Sequence, residues 1–335
     1  MLPLADAVDE IAGSTDFSGV VSVDRGGEIE FAKAYGFAHR GYEIGNTLDT
    51  RFAIASGTKG LTALTVMSLV AEGLLDLPTP VRSVLGEDLP LVDAGVTVEH
   101  LLANRSGIGE YYDDDQGDIN DYRPPAPPFD LIDTSQYLPL LDGHPRDFPP
   151  GERFSYNNAG FVLLALIAER VSGTPFHSLV VDRVCRPAGM IDTEFLRSDE
   201  PGPRTALGYL NYDGVWRANT FHLPVRGNGD GGIYTTVADF RAFWPALYGG
   251  KIVPRSLVAE MVRPRSGVPE YSLRYGLGFW LHETKNVVFL EGYDPGVSFR
   301  STHDPETRTT CTVISNYSEG AWPVAKLLAE LLGQS

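Results

Sequence analysis

The sequence predicts an α+β fold: an antiparallel sheet flanked by terminal helices, with an inserted, mainly helical subdomain. Three observations point there. Strand-like alternation occurs near both ends of the 335-residue chain. Helical runs close each terminus, and the stretch between changes texture to Pro-punctuated loops and apolar helices. At the start, Leu4–Ala12 reads as a helix. Val20–Asp24 and Glu28–Tyr35 read as strands joined by Arg25-Gly26-Gly27, whose glycines tolerate positive φ. A helix-like run, Thr58–Glu72, ends near Gly73. From Leu77 the Pro-rich texture begins, with a short helix at Thr97–Ala103 and an acidic loop without periodicity at Asp113–Pro128. Phe161–Val171 is an apolar helix stopped by Gly173, with Pro175 beyond it. Near Gly231 the first texture returns. A helix (Val237–Leu247) precedes strand-like runs at Leu277–His282, Asn286–Glu291 and Val297–His303. A turn at Asp304-Pro305-Glu306-Thr307 leads into Thr309–Ser315, and the helix Ala321–Leu332 closes the chain. The expected division is one domain: a sheet region, 1–76 plus 230–335, around a helical insert, 77–229.

Composition narrows the function. With 43% hydrophobic and 21% charged residues, the chain can bury a sizeable core. A net charge of −17 argues against nucleic acid or anionic membrane as partner, since both need clustered Lys and Arg. No apolar run is long enough to span a bilayer. Met1–Glu10 lacks a basic region and a long apolar stretch, so a cytoplasmic location is expected. Cys185 and Cys311 are far apart in apolar or strand-like sequence, which reads as two buried thiols rather than a disulfide. The seven histidines form no H-x-x-x-H pair and the cysteines no C-x-x-C, so neither a metal site nor a cofactor is expected. Gly227-Asn228-Gly229-Asp230-Gly231-Gly232 fits the dinucleotide pattern G-x-G-x-x-G, but no convincing strand precedes it. A flexible loop is the better reading. No G-x-S-x-G elbow occurs.

The chemistry starts at Ser56-Gly57-Thr58-Lys59, at the mouth of the Thr58–Glu72 helix. Residues three apart lie one turn apart on one helix face, which puts an amine within reach of a hydroxyl. That arrangement makes a serine nucleophilic without histidine. A helix N-terminus disfavours an ammonium, so a lysine there should lose its proton more readily, and burial would add to this. Of five lysines, only Lys59 has a serine three residues before it. The same tetrad also reads as a helix cap followed by a solvated lysine. Downstream, Tyr156 offers a phenol that can relay a proton, and Asn158 an amide that can hold a substrate carbonyl and Lys59 together. Locally, the pair also reads as a packed aromatic and a helix cap.

Ser56-x-x-Lys59, followed by Pro150-Gly151-Glu-x-Phe-x-Tyr156-x-Asn158, resembles the serine β-lactamase and penicillin-binding-protein superfamily. The branch of class C β-lactamases, DD-peptidases and related esterases looks most similar. Leu101-Leu102-Ala-Asn-Arg-Ser106-Gly107-Ile108, Arg186-Pro187-Ala188-Gly189-Met190-Ile-Asp192-Thr193 and Gly231-Gly232-Ile-Tyr-Thr-Thr-Val-Ala-Asp239 each look like a segment of that branch, in the same order. The resemblance implies that Ser56 is the acyl-accepting nucleophile, Lys59 its base partner, Tyr156 the proton relay to the leaving group, and Asn158 a substrate-orienting residue. It also implies two oxyanion donors: the nucleophile's own N–H and one from a strand bearing Lys-Thr-Gly or His-x-Gly.

Here the corresponding strand departs from both patterns. Setting Tyr293-Asp294-Pro295 on His-x-Gly leaves Gly296 to supply the strand N–H, because Pro295 has none. Tyr293 beside Asp294 would hold a substrate carboxylate poorly. The reading is therefore a serine hydrolase for small ester, amide or peptide substrates, an esterase or D-amino-acid peptidase or amidase, with weak or no β-lactamase activity. An acyltransferase using the same acyl-enzyme, and a catalytically silent ligand-binding relative, are the alternatives. Oligomeric state is not legible.

Overall fold

The computed structural model describes residues 3–111 and 117–334. Met1 and Leu2 of the N-terminal stretch, and residues 113–116 of the expected acidic loop, lie outside the described residues. Eight strands form one antiparallel sheet: β1 (Gly19–Arg25), β2 (Glu28–Tyr35), β3 (Ser266–Val268), β4 (Leu273–Tyr275), β5 (Trp280–His282), β6 (Val288–Asp294), β7 (Val297–Asp304) and β8 (Thr309–Ser315). Their order across the sheet is β2-β1-β8-β7-β6-β5-β4-β3. The first strand therefore pairs with the last, Gly19 opposite Ser315 and Arg25 opposite Thr309. The β1–β2 hairpin closes at Arg25 opposite Glu28, with Gly26 and Gly27 at φ 63° and 97°. Both turn positions need the left-handed freedom of glycine. Strands β3 and β4 were missed by sequence reading. They are three residues each, too short to show alternation.

Alternating side chains give the sheet two covered faces. Val21, Val23 and Val313 face the terminal helices α1 (Leu4–Ser14) and α5 (Ala321–Leu331), meeting Val8, Val324 and Leu328. Val20 and Ile314 face the opposite way, into the larger core with α2 (Thr58–Ala71), α3 (Asn158–Ser172) and α4 (Val237–Gly249). Helices α2 and α3 are buried over most of their circumference. A helix apolar all round belongs in a core, which is why neither carries a clean polar stripe. Among the described residues no single helix is long and apolar enough to cross a membrane. Cys185 and Cys311 are free, buried thiols, each pushed up to about 12 chiefly by that burial.

Two buried histidines tie this core to pH. The His303 ring stacks on Trp244, centroids 5.5 Å apart, and Thr310 Oγ1 lies 2.9 Å from its Nδ1. His177 Nε2 lies 2.9 Å from the Gly227 carbonyl. Burial pulls both imidazoles down from 6.5 to about 4. As pH falls through 6.5 the unfolded chain takes up these protons and the folded chain does not, so stability is lost between pH 6.5 and 4. The melting temperature should drop from pH 7 to pH 5, and His303→Gln should flatten that drop. Parallel pH curves for variant and wild type would refute the assignment.

Candidate active site

Ser56 sits in a 3-10 turn, Ala55–Gly57, that runs directly into α2. Ala55 before it has φ 46°, a left-handed conformation that costs a non-glycine residue about 1–2 kcal/mol. Surrounding bonds hold it there. The Ala55 carbonyl accepts from the Thr58 hydroxyl at 2.7 Å and from the Gly232 N–H at 3.3 Å. The Ile54 N–H donates to the Ile233 carbonyl at 3.1 Å.

Lys59 lies one turn on, 2% exposed. Its Nζ is 2.9 Å from Ser56 Oγ, 2.7 Å from Asn158 Oδ1 and 2.6 Å from the Asp230 carbonyl oxygen. It also stands 4.9 Å from the centroid of the Tyr156 ring. The solvated-lysine reading of the tetrad is thereby excluded. Ser56, Lys59, Tyr156 and Asn158, drawn from sites a hundred residues apart, meet beside a cleft of about 1170 Å³ that Ser56, Tyr156 and Asn158 line.

The segment bearing Tyr156 and Asn158 is anchored through the Leu101–Ile108 stretch. The Ser155 N–H donates to the Asn104 carbonyl at 2.9 Å, and the Asn157 N–H to Asn104 Oδ1 at 3.2 Å. Asn157, not Asn158, caps α3, its Oδ1 accepting from the Gly160 N–H at 2.7 Å. Asn158 is thereby left to face Lys59. Glu110 completes the helix start by accepting from the N–H groups of Asn158 and Ala159, the latter at 3.1 Å. A carboxylate there suits the helix dipole. The Tyr156 ring is stacked on Trp280, centroids 5.9 Å apart and planes 10° apart, and Trp280 is wedged against Tyr275 and Phe154. Glu110 and Trp280 carried no motif and were missed. The segments around Asp192-Thr193 and Gly231–Asp239 also meet, Thr193 Oγ1 donating to Asp239 Oδ2 at 2.5 Å. Asp239 is buried and does not line the cleft.

The glycine-rich run 227–232 is a loop, as expected, but it is not flexible. A Cβ on Gly227 would overlap the Gly231 carbonyl oxygen, and one on Gly229 the Phe161 carbonyl oxygen. The Thr62 hydroxyl donates to the Gly229 carbonyl at 2.6 Å. The run is a tightly packed wall of the site, and Asp230 at its crest holds Lys59. Glycine density signalled close backbone approach here, not phosphate binding.

The third strand needs a correction. Gly296 lies in the β6–β7 turn with φ 75°, and its N–H donates to Ser318 Oγ at 2.8 Å. It does not serve Ser56. The strand meets the Ser56 turn four residues earlier, at Gly292. There a Cβ would overlap the Ile54 carbonyl oxygen and lie 2.9 Å from the Gly57 nitrogen. The motif glycine is therefore Gly292, and the motif reads Leu290-Glu291-Gly292. Asp294 opposite Val297 closes the two-residue turn, so Gly292 is hydrogen-bonded to Phe299, and Tyr293 opposite Ser298 is not. The Tyr293 N–H thus points away from β7. On that side β5 pairs only with Val288 and Phe289, leaving the edge open to the cleft. The Tyr293 phenol donates to Glu319 and its ring packs edge-on against Trp322. Burial first, then Glu319, raises it well above the ordinary tyrosine range. Asp294 does line the cleft, its Oδ2 3.7 Å from where a Cβ on Gly231 would sit. Among the described residues no group of three or more His, Cys, Asp or Glu is placed to hold a metal ion.

The family model described as Beta-lactamase matches residues 4–333. The chain belongs to the beta-lactamase family. Within that family it is 35% identical to the penicillin binding protein from Bacillus halodurans, whose crystal structure matches with a TM-score of 0.90 over 97% of this chain and 99% of that one. It is 38% identical over 198 residues to Esterase EstB of Burkholderia gladioli, covering 57% of this chain and 49% of the esterase. It is 28% identical over 321 residues to a D-aminopeptidase of Brucella anthropi, covering 95% of this chain and 59% of that one. The chain thus spans about half to three fifths of these two relatives. As a beta-lactamase-family member it is a serine hydrolase.

Proposed function

We propose that the chain cleaves small esters or amides through an acyl-enzyme on Ser56, and that its cleft disfavours substrates bearing a carboxylate. The observation that carries the first part is the three-oxygen surround of Lys59. Two of those oxygens, Asn158 Oδ1 and the Asp230 carbonyl, can only accept. A neutral amine gives them its two N–H bonds and turns its lone pair to the Ser56 hydroxyl. Ser56 Oγ then attacks the substrate carbonyl as its proton passes to Lys59. Tyr156, beside Lys59, hands a proton to the departing alcohol or amine as the C–O or C–N bond breaks. The N–H groups of Ser56 and Tyr293 receive the oxyanion. Water, deprotonated by the same groups, releases the acid. Treating the protein with a fluorophosphonate and mapping the adduct tests this reading, which requires Ser56 to carry the label.

Charge supports the second part. Seven carboxylates line the cleft against two arginines, Arg153 and Arg300. Arg300 is paired with Glu291, and the Arg153 guanidinium lies 4.1 Å above the Phe148 ring. Neither is poised for an incoming anion. Among ester substrates of matched shape, a carboxylate-bearing one should have the lowest kcat/KM, by about tenfold, the scale of one charge-assisted contact. An amine-bearing one should equal or exceed the neutral ester. Glu291→Gln releases Arg300 and should raise turnover of the carboxylate substrate selectively. Nitrocefin hydrolysis as fast as that of a neutral ester would sink the proposal.

A further inference from the structure

Asp230 lines the cleft and does two things at once. Its main-chain carbonyl accepts from Lys59 at 2.6 Å, while its carboxylate accepts from the Tyr111 hydroxyl at 2.6 Å. One residue thus ties the amine that serves Ser56 to a tyrosine in a segment with no part in the proton path. The loop cannot slide to break this link. Gly227, Gly229 and Gly232 are packed against their neighbours without room for a methyl group, and the Asn228 side chain caps the Gly229 N–H at 2.6 Å. Tyr111 is equally constrained, its ring edge-on to Tyr137 with centroids 6.2 Å apart.

We propose that Asp230 is a positioning residue whose carboxylate, held by Tyr111, sets the pH at which Lys59 can take the Ser56 proton. A negative charge on the residue that grips Lys59 stabilises the ammonium, so more base is needed before the amine turns neutral. Tyr111 keeps that charge in place. Burial, then the Asp230 charge, holds the phenol well above its usual range, so it remains a donor at every pH where the enzyme would work. Burial raises the Asp230 carboxyl itself, and Lys59 and then the Tyr111 hydrogen bond oppose the rise. Among the described residues, the other ionisable groups facing this pair are Tyr156 beside Lys59, Tyr137 and Glu110 beside Tyr111, and Asp294 across Gly231.

The inference rests on Ser56 and Lys59 acting as nucleophile and base, so its test reads Ser56 directly. The rate of Ser56 labelling by a fluorophosphonate is followed from pH 5 to 10 in wild type, Asp230→Asn, Tyr111→Phe and the double variant. Asparagine keeps the main-chain carbonyl and still accepts from Tyr111. The acidic limb of the Asp230→Asn profile should move down by about one pH unit, the lower end for a lost neighbouring charge. Tyr111→Phe, which leaves the glycine loop untouched, should move the limb the same way by less. In the Asp230→Asn background it should move it no further. Labelling that slows equally at all pH values, with the limb in place, would reduce Asp230 to a structural role and overturn the inference. Failure to label Ser56 in wild type would instead overturn the functional reading on which it depends.

Discussion

Turnover of a p-nitrophenyl ester by Ser56→Ala will fall by roughly 10⁶-fold, the scale seen when an acyl-accepting nucleophile is removed from such a unit. The expectation follows from a serine at the mouth of α2 with an amine 2.9 Å from its oxygen. Lys59→Ala and Tyr156→Phe should each lower kcat by about 10²–10⁴, the usual size of a lost acid–base group. The three losses should be strongly non-additive, because Ser56 without Lys59 keeps its proton and Tyr156 then has none to relay. Additive losses, or losses confined to KM, would contradict a shared proton path. So would undiminished activity in Ser56→Ala.

The second large effect comes from a residue with no side chain. Gly292 is buried where β6 crosses the Ser56 turn, and even a methyl group there collides with Ile54 and Gly57. Gly292→Ala must push β6 away from the nucleophile, carrying the Tyr293 N–H with it. Displacing an oxyanion donor by an ångström costs on the order of 10²-fold in rate, and kcat should fall by at least that much, with a lowered melting temperature. Gly267 on β3, where a Cβ would touch nothing within 4 Å, provides the contrast. Gly267→Ala should leave both quantities unchanged. A Gly292→Ala enzyme with wild-type kcat would remove Tyr293 from the oxyanion site.

These expectations show which parts of the site were legible in the sequence. Ser56-x-x-Lys59 could be read because helix geometry turns a spacing into a contact. Tyr156 and Asn158 could be placed beside it through the segments that resemble the family. The third strand could not be read in register. Gly292 and Gly296 are both glycines in one short stretch, and spacing alone cannot separate a glycine required by close approach from one required by a turn. Asp230 was hidden because its contribution to Lys59 is a main-chain carbonyl, which any residue type could supply. Glu110 was hidden because its carboxylate acts on backbone N–H groups of a helix that begins 48 positions later. The sheet was readable at its long strands, β1, β2, β6, β7 and β8. Its far edge was not, because three-residue strands are specified by what they pair with rather than by their own pattern.

The pairing of Gly19 with Ser315 has a kinetic meaning. Contacts that join the two ends of a chain are the costliest loops to close and slow a chain's descent to its native state. On the ribosome the β1–β2 hairpin is made long before residues 309–315, and the open edge of β1 waits for that partner until they clear the exit tunnel. Ser56 and Lys59 are likewise synthesised long before Asp230 and Gly292, which complete their surroundings. A nascent chain therefore carries Ser56 and Lys59 without the strand that packs on their turn until residues 288–294 have been made.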